Sequence, residues 1–178
     1  LGFSMGFLAI SAIQVYETPF MQSVGYSRRA AALLLTVIPL STIVGRLGFG
    51  YIADYWDKRR AAAVALFLQS IAVIILAFFD SSRVWLIPLF LIFWGLGFGG
   101  TVVLRPALQG DLFGRKSFGT IQGVLSTTGE VGFMFAPVVA GITFDLLGSF
   151  RPVFIAFAIL TLIAAPIILT IRTPRPKP

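Results

Sequence analysis

The sequence predicts an all-α membrane protein whose six transmembrane helices form two inverted three-helix repeats, and three observations lead there. Hydrophobic residues make up 57% of the 178 and charged residues 12%, whereas a soluble domain is about half apolar and about a quarter charged. That much apolar surface cannot be hidden in one small core. The apolar residues also fall into six segments, each near the roughly 20 residues that a helix needs to cross a bilayer. Lastly, short motifs of the first three segments recur in the last three.

Taken in order, the first segment runs from about Leu1 to Val24 and carries Gln14, Tyr16 and Glu17 towards its end. Leu1 already lies in an apolar run with no initiator Met or basic leader, so the sequence reads as part of a longer protein with its N-terminal half missing. After the turn Gly25-Tyr26-Ser27-Arg28-Arg29, the second segment spans about Ala30 to Ala53 and contains Pro39 and Arg46. The third, about Ala61 to Phe79, is almost wholly apolar and is expected to face lipid or scaffold. The turn Asp80-Ser81-Ser82-Arg83 leads to the fourth, about Val84 to Gln109, with Gly95, Gly97, Gly99 and Gly100 and then Arg105-Pro106. The fifth, about Phe118 to Leu146, holds Glu130 near its middle. The sixth, about Pro152 to Ile171, precedes a tail (173–178) too rich in proline to be helical.

The repeat pairs Pro19-Phe20-Met21-Gln22 with Pro106-Ala107-Leu108-Gln109, and the Gly25 turn with Gly114-Arg115-Lys116. Gly50 followed by Asp54 returns as Gly141 followed by Asp145, again with a glycine (Gly148) and a cation (Arg151) behind it. Three helices per unit is an odd number, so the second unit must be inverted. Cations count the sides. Lys58, Arg59, Arg60, Arg115, Lys116, Arg172, Arg175 and Lys177 fall on one, and Arg28, Arg29, Arg83 and Arg151 on the other. This bias puts loop 54–60, loop 110–117 and the tail in the cytoplasm of a multi-pass cell-membrane protein. It also explains the formal charge of +7 without nucleic acid, since the cations sit at helix ends, where topology and anionic lipid call for them. Histidine and cysteine are absent, which argues against zinc sites, disulfides and Ser-His chemistry. With no nucleophile–base pair or metal cluster, the expectation is no enzyme and no cofactor.

The stretch from Gly50 through Asp54 to Lys58-Arg59-Arg60 packs a small-residue helix end, an acid and a basic turn into a fixed order. That order resembles the signature of the major facilitator superfamily, with Tyr55 where a cation is usual and Asp57 where glycine is usual. Gly141, Asp145, Gly148-Ser149-Phe150-Arg151-Pro152 and Phe154, with the Pro-rich stop, resemble the ends of the family's C-terminal halves. The resemblance implies helices seven to twelve of a twelve-helix secondary transporter built from three-plus-three inverted repeats. It also implies that Asp54 and the cations after it latch the cytoplasmic side by meeting a helix start in the absent half. Arg46, four residues before Gly50, resembles the substrate-binding arginine of the monocarboxylate and oxalate–formate branch. That branch's monocarboxylate carriers place an Asp where this chain has Thr42, which puts proton coupling through that pair in doubt.

The residues themselves leave alternatives open. An arginine at helix centre costs roughly 2.5–3.5 kcal/mol on insertion scales, so Arg46 must snorkel, pair, or bind an anion. Gln122, Ser126 and Glu130 form a polar stripe; Glu130 is either a satisfied hydrogen-bonder or a proton-coupling group. Gly132, Ala136 and Ala140 form a small-residue stripe suited to close helix contact. The run Gly123, Gly132, Ala136-Pro137, Ala140-Gly141 resembles the antiporter glycine-proline motif, but it belongs to a different helix there and reads here as a packed, kinked helix. Arg105 is expected to meet carbonyls freed by Pro106, and the glycine cluster serves either bending or packing. The resulting expectation is a symporter or antiporter of a small organic solute, a monocarboxylate-like anion with or without a coupling proton. The cavity is lined through Gln14, Tyr16, Arg46 and Glu130, with Glu17 beside them. The rivals are a self-associating six-helix transporter or channel, and a non-transporting scaffold or sensor.

Overall fold

The computed structural model describes residues 2–80, 82–114 and 118–171. Leu1, Ser81, Arg115, Lys116 and the tail from Arg172 lie outside the described residues, as do the surroundings of Gly132. Six helices follow one another: α1 (Gly2–Ser23), α2 (Arg28–Tyr55), α3 (Lys58–Ala77), α4 (Leu86–Phe113), α5 (Phe118–Leu147) and α6 (Arg151–Leu169). Among the described residues α2, α3, α4 and α6 are long and apolar enough to cross a membrane. The α1 and α5 helices match them in length, at 22 and 30 residues, and carry the polar side chains Gln14, Glu17, Gln122, Ser126 and Glu130.

Several helices start or stop away from the expected residues, and capping explains it. The α2 helix begins at Arg28 because the Ser27 hydroxyl accepts from the Ala30 amide at 3.2 Å. The α3 helix begins at Lys58 rather than Ala61, because Asp57 accepts from the amides of Arg59 (2.8 Å) and Arg60 (3.4 Å). Lys58, Arg59 and Arg60, expected in a loop, therefore form the first turn of α3, and loop 54–60 contracts to Trp56 and Asp57. Cations at a helix N-terminus oppose the helix dipole, and the Asp57 carboxylate offsets them. The α4 helix runs to Phe113, beyond the expected Gln109, and stops at Gly114 with φ +71°, a backbone that favours glycine. Loop 110–117 shortens accordingly.

Helix packing follows the order α2–α4–α3–α6–α1–α5. Exchanging α1, α2 and α3 for α4, α5 and α6 reproduces this order reversed, as an inverted repeat requires. Each triplet thus lends its first helix to the second helix of the other. Lys58 of α3 bonds Asp111 near the end of α4, and Arg59 bonds the Ile171 carbonyl beyond α6, so these ends share one face. The turns α1–α2, α3–α4 and α5–α6 meet on the opposite face, where Ser23, Asp80 and Gly148 line one hollow. Asp54 and Asp145, which close α2 and α5, therefore stand on opposite faces.

Gly95, Gly97, Gly99 and Gly100 of α4 are packing devices, since a Cβ at any of these four would strike a neighbour. At Gly95 it would fall 2.5 Å from the Ser41 carbonyl, and at Gly99 3.0 Å from the Arg46 amide, both on α2. At Gly97 it would fall 2.7 Å from the Gln69 Cα of α3. Small residues spaced four apart let helix backbones touch where lipid supplies no hydrophobic drive. On α5, Ala136 and Ala140 are fully buried, and Gly141 faces the Tyr16 hydroxyl of α1.

A polar seam lies between α3 and its neighbours. Gln69 donates to the Gly6 carbonyl at 3.0 Å, Thr101 lies 3.3 Å from Gln69 Oε1, and Ser70 donates to the Ala158 carbonyl at 2.8 Å. All three side chains are buried, and each has found a partner.

Candidate functional site

Gln14 and Glu17 stand three apart on α1 and so share a helix face. On α2, Thr42 and Arg46 stand four apart and share another. The contact of Gly45 and Gly99 presses that turn of α2 against α4, which brings Trp94 and Phe98 of α4 opposite. Together these residues line a cavity of about 270 Å³ between α1, α2 and α4. The Thr42 hydroxyl is spent on the Pro39 carbonyl at 2.7 Å.

Two buried groups in this cavity have no partner. Glu17 is only 4% exposed, yet its Oε1 accepts no hydrogen bond, and the indole Nε1 of Trp94, 1% exposed, finds no acceptor. The Arg46 guanidinium forms no ion pair among the described residues. An acid and a base thus line one small space without pairing. Buried polar groups are ordinarily satisfied, and leaving one bare costs about 1–3 kcal/mol. Such a set is what a ligand would complete.

A second cavity of about 130 Å³ lies between α1, α4 and α5, lined by Phe7, Arg105, Ser126, Glu130 and Phe133. It is the repeat-related counterpart of the first, with the charges exchanged: the base is on the first helix of the triplet and the acid on the second. Arg105 lies over the Phe7 ring at 4.7 Å from its centroid, a cation–π contact rather than the expected capture of carbonyls. Tyr16, expected beside Gln14, points elsewhere; its ring packs on Phe150 at 4.9 Å. Two residues are roughly 200° of helix rotation, which puts it on the α5–α6 side.

The motif at the α2–α3 corner divides its labour. Asp57, which departs from the family pattern, both caps α3 and pairs with Arg59 (Oδ2 to Nη2 2.7 Å). That hydrogen bond, above all, holds its carboxyl down at about 2. Arg59 also donates to the Ile171 carbonyl at 2.7 Å, and Lys58 pairs with Asp111 at 2.7 Å. Asp54 and Arg60 are exposed, with no side-chain bond or ion pair among the described residues. Gly50 is not forced by packing, since a Cβ there would meet only Val103 at 3.9 Å. Sequence reasoning did not single out Trp94 or Asp111, and it noted Asp57 only as a departure from the family pattern. Asp57 alone had a local signal, an acid just before a run of cations at a helix start.

A family model described as Major Facilitator Superfamily matches residues 1–178. The chain belongs to the major facilitator superfamily. Its two inverted triplets are half of that family's fold, and it is an integral membrane protein of a solute-transporter family. Similar curated proteins include "Monocarboxylate transporter 12" of Xenopus laevis, 28% identical over 145 residues, covering 79% of this chain and 31% of the relative. The human protein of the same name is 27% identical over 148 residues (82% and 28%). "Sialic acid transporter NanX" of Escherichia coli is 31% identical over 119 residues (65% and 29%). The chain therefore spans about a third of the length of the relatives it matches.

Proposed function

We propose that this chain is the C-terminal six-helix half of a secondary active transporter. It moves a small organic anion, a monocarboxylate, by rocking against an N-terminal half. The observation that carries the reading is the unpaired Arg46 guanidinium in the cavity between α1, α2 and α4. A guanidinium holds a carboxylate bidentately, and Arg46, exposed and without an ion pair among the described residues, is free to take one. The monocarboxylate transporters among its relatives support that class. The surplus of cations on the face of Lys58, Arg59 and Arg60 supports a cytoplasmic position for that face in a cell-membrane protein. There the free carboxylate of Asp54 is left for a helix start in the other half, as a latch on the inward gate. A coupling proton is assigned to Glu130, exposed beside Arg105 on the face a partner half would cover.

The test is uptake of labelled L-lactate into proteoliposomes holding the full-length transporter. Arg46→Ala is expected to lower uptake at least tenfold while the protein still inserts and purifies as wild type. Unchanged uptake removes Arg46 from the substrate site.

A further inference from the structure

We propose that the hollow between the ends of α1, α4 and α6 on the basic face is a lipid site, and that it holds an anionic phospholipid whose headgroup also carries hydroxyl donors, of the phosphatidylglycerol type. The hollow measures about 310 Å³ and shares no lining residue with the cavity of Arg46. Its polarity comes from two side chains of α4, Arg105 and Gln109, which stand four apart and so share a helix face. Gln109 is only 6% exposed, and its Oε1 accepts no hydrogen bond. Two other lining side chains could donate to it, and neither does. The Thr170 hydroxyl is spent on the Ile167 carbonyl at 2.7 Å, and the Arg105 guanidinium lies over the Phe7 ring. Arg105 in turn has no ion pair among the described residues, although Glu130 lines the adjoining cavity with it. The hollow therefore lacks an anion for one group and a donor for the other, and no acid lines it. The rest of its wall, Phe3, Leu108, Leu112, Ile168 and Ile171 among it, is apolar. A free anion would meet Arg105 and leave that wall in water; a neutral lipid would cover the wall and leave Arg105 unmet. An anionic phospholipid answers both, and basic pockets between membrane helices are where such headgroups bind. The depth agrees. Asp111, whose partly exposed pair with Lys58 marks where water reaches, stands about 3 Å beyond Gln109 and about 9 Å beyond Arg105 along the helix axis. That is close to the level where a bilayer's headgroup zone, roughly 5–7 Å thick on each side, meets its hydrocarbon. The phosphate pairs with Arg105, and a headgroup hydroxyl donates to Gln109 Oε1.

The experiment places the full-length transporter in nanodiscs of phosphatidylglycerol, phosphatidylmethanol and phosphatidylcholine in equal parts and with the same acyl chains. Lipids still bound after transfer to detergent are then counted by native mass spectrometry. Phosphatidylmethanol has the charge of phosphatidylglycerol without its hydroxyls, so the pair isolates the donor. Wild-type protein is expected to retain phosphatidylglycerol about tenfold over phosphatidylmethanol, because a buried acceptor left bare is costly, and to retain phosphatidylcholine least. Gln109→Leu is expected to hold the two anionic lipids equally while still rejecting phosphatidylcholine, a result that a misfolded protein would not give. Arg105→Gln is expected to hold phosphatidylglycerol no better than phosphatidylcholine. Equal retention of all three lipids by the wild type overturns the site, and so does an anionic preference that survives Arg105→Gln. Equal retention of the two anionic lipids by the wild type, or a preference between them that survives Gln109→Leu, overturns the pairing of a headgroup hydroxyl with Gln109. None of these outcomes bears on which solute the transporter carries.

Discussion

Two sets of buried polar side chains in this half-bundle differ in one respect. In the seam where α3 meets α1, α4 and α6, Gln69, Ser70 and Thr101 all bond within the protein. In the cavity between α1, α2 and α4, Glu17 and Trp94 are as deeply buried, yet each keeps an atom unbonded. The seam is closed by its own backbone carbonyls and needs nothing further. The cavity has the same burial without the same completion. In an apolar bundle a satisfied polar group fixes how helices pack, and an unsatisfied one marks where something else must fit.

Substitutions should separate the two regions. The largest effect is expected from Gly99→Leu, which drives a side chain into the Thr42–Arg46 turn of α2. Overpacking of this kind costs about 1–3 kcal/mol or more. Because the same contact shapes the cavity, thermal stability in detergent and substrate uptake should fall together. Gln69→Leu lies in the seam alone. It is expected to lower stability by about 1–2 kcal/mol while the retained protein keeps its apparent affinity for lactate; a changed affinity would merge the two regions.

The basic face gives smaller effects. Asp57→Ala removes the α3 cap and should cost about 1 kcal/mol in the same unfolding measurement. Since the Asp57 carboxyl is lowered from 3.8 to about 2 in the folded protein, its contribution is present above pH of about 4. It is lost as the pH falls towards 2, because protonation ends the Arg59 and amide bonds. The difference between wild type and Asp57→Asn should vanish across that window. The smallest effect belongs to Lys58 and Asp111, partly exposed at 26% and 46%. A double-mutant cycle on them should give a coupling below about 1 kcal/mol.

The six helices were legible because length and apolarity in a bilayer leave few alternatives, and the inverted repeat because its motifs recur at matching places. Gln14, Glu17 and Arg46 were legible as polar groups in apolar runs. Their meeting in one cavity was not, since it depends on how closely Gly45 and Gly99 let α2 approach α4. Tyr16 was grouped with Gln14 by proximity in sequence, where the helical turn separates them. Trp94 passed as one more apolar residue, and only its stranded N–H marks it. Asp57 and Asp111 act through the corner geometry of α2, α3 and α4, which no periodicity encodes. The glycine cluster left two readings open, and contact with the backbones of α2 and α3 decides for packing.

The difference between an open cavity and a closed seam can be measured directly, because this segment contains no cysteine. In a full-length background otherwise free of cysteine, Gln14→Cys and Ser70→Cys would be exposed to a small, charged thiol reagent with and without L-lactate. The expected result is rapid labelling at Gln14→Cys, slowed by lactate, and none at Ser70→Cys. Equal labelling at both, or labelling at Gln14→Cys that lactate leaves unchanged, would contradict a substrate cavity between α1, α2 and α4.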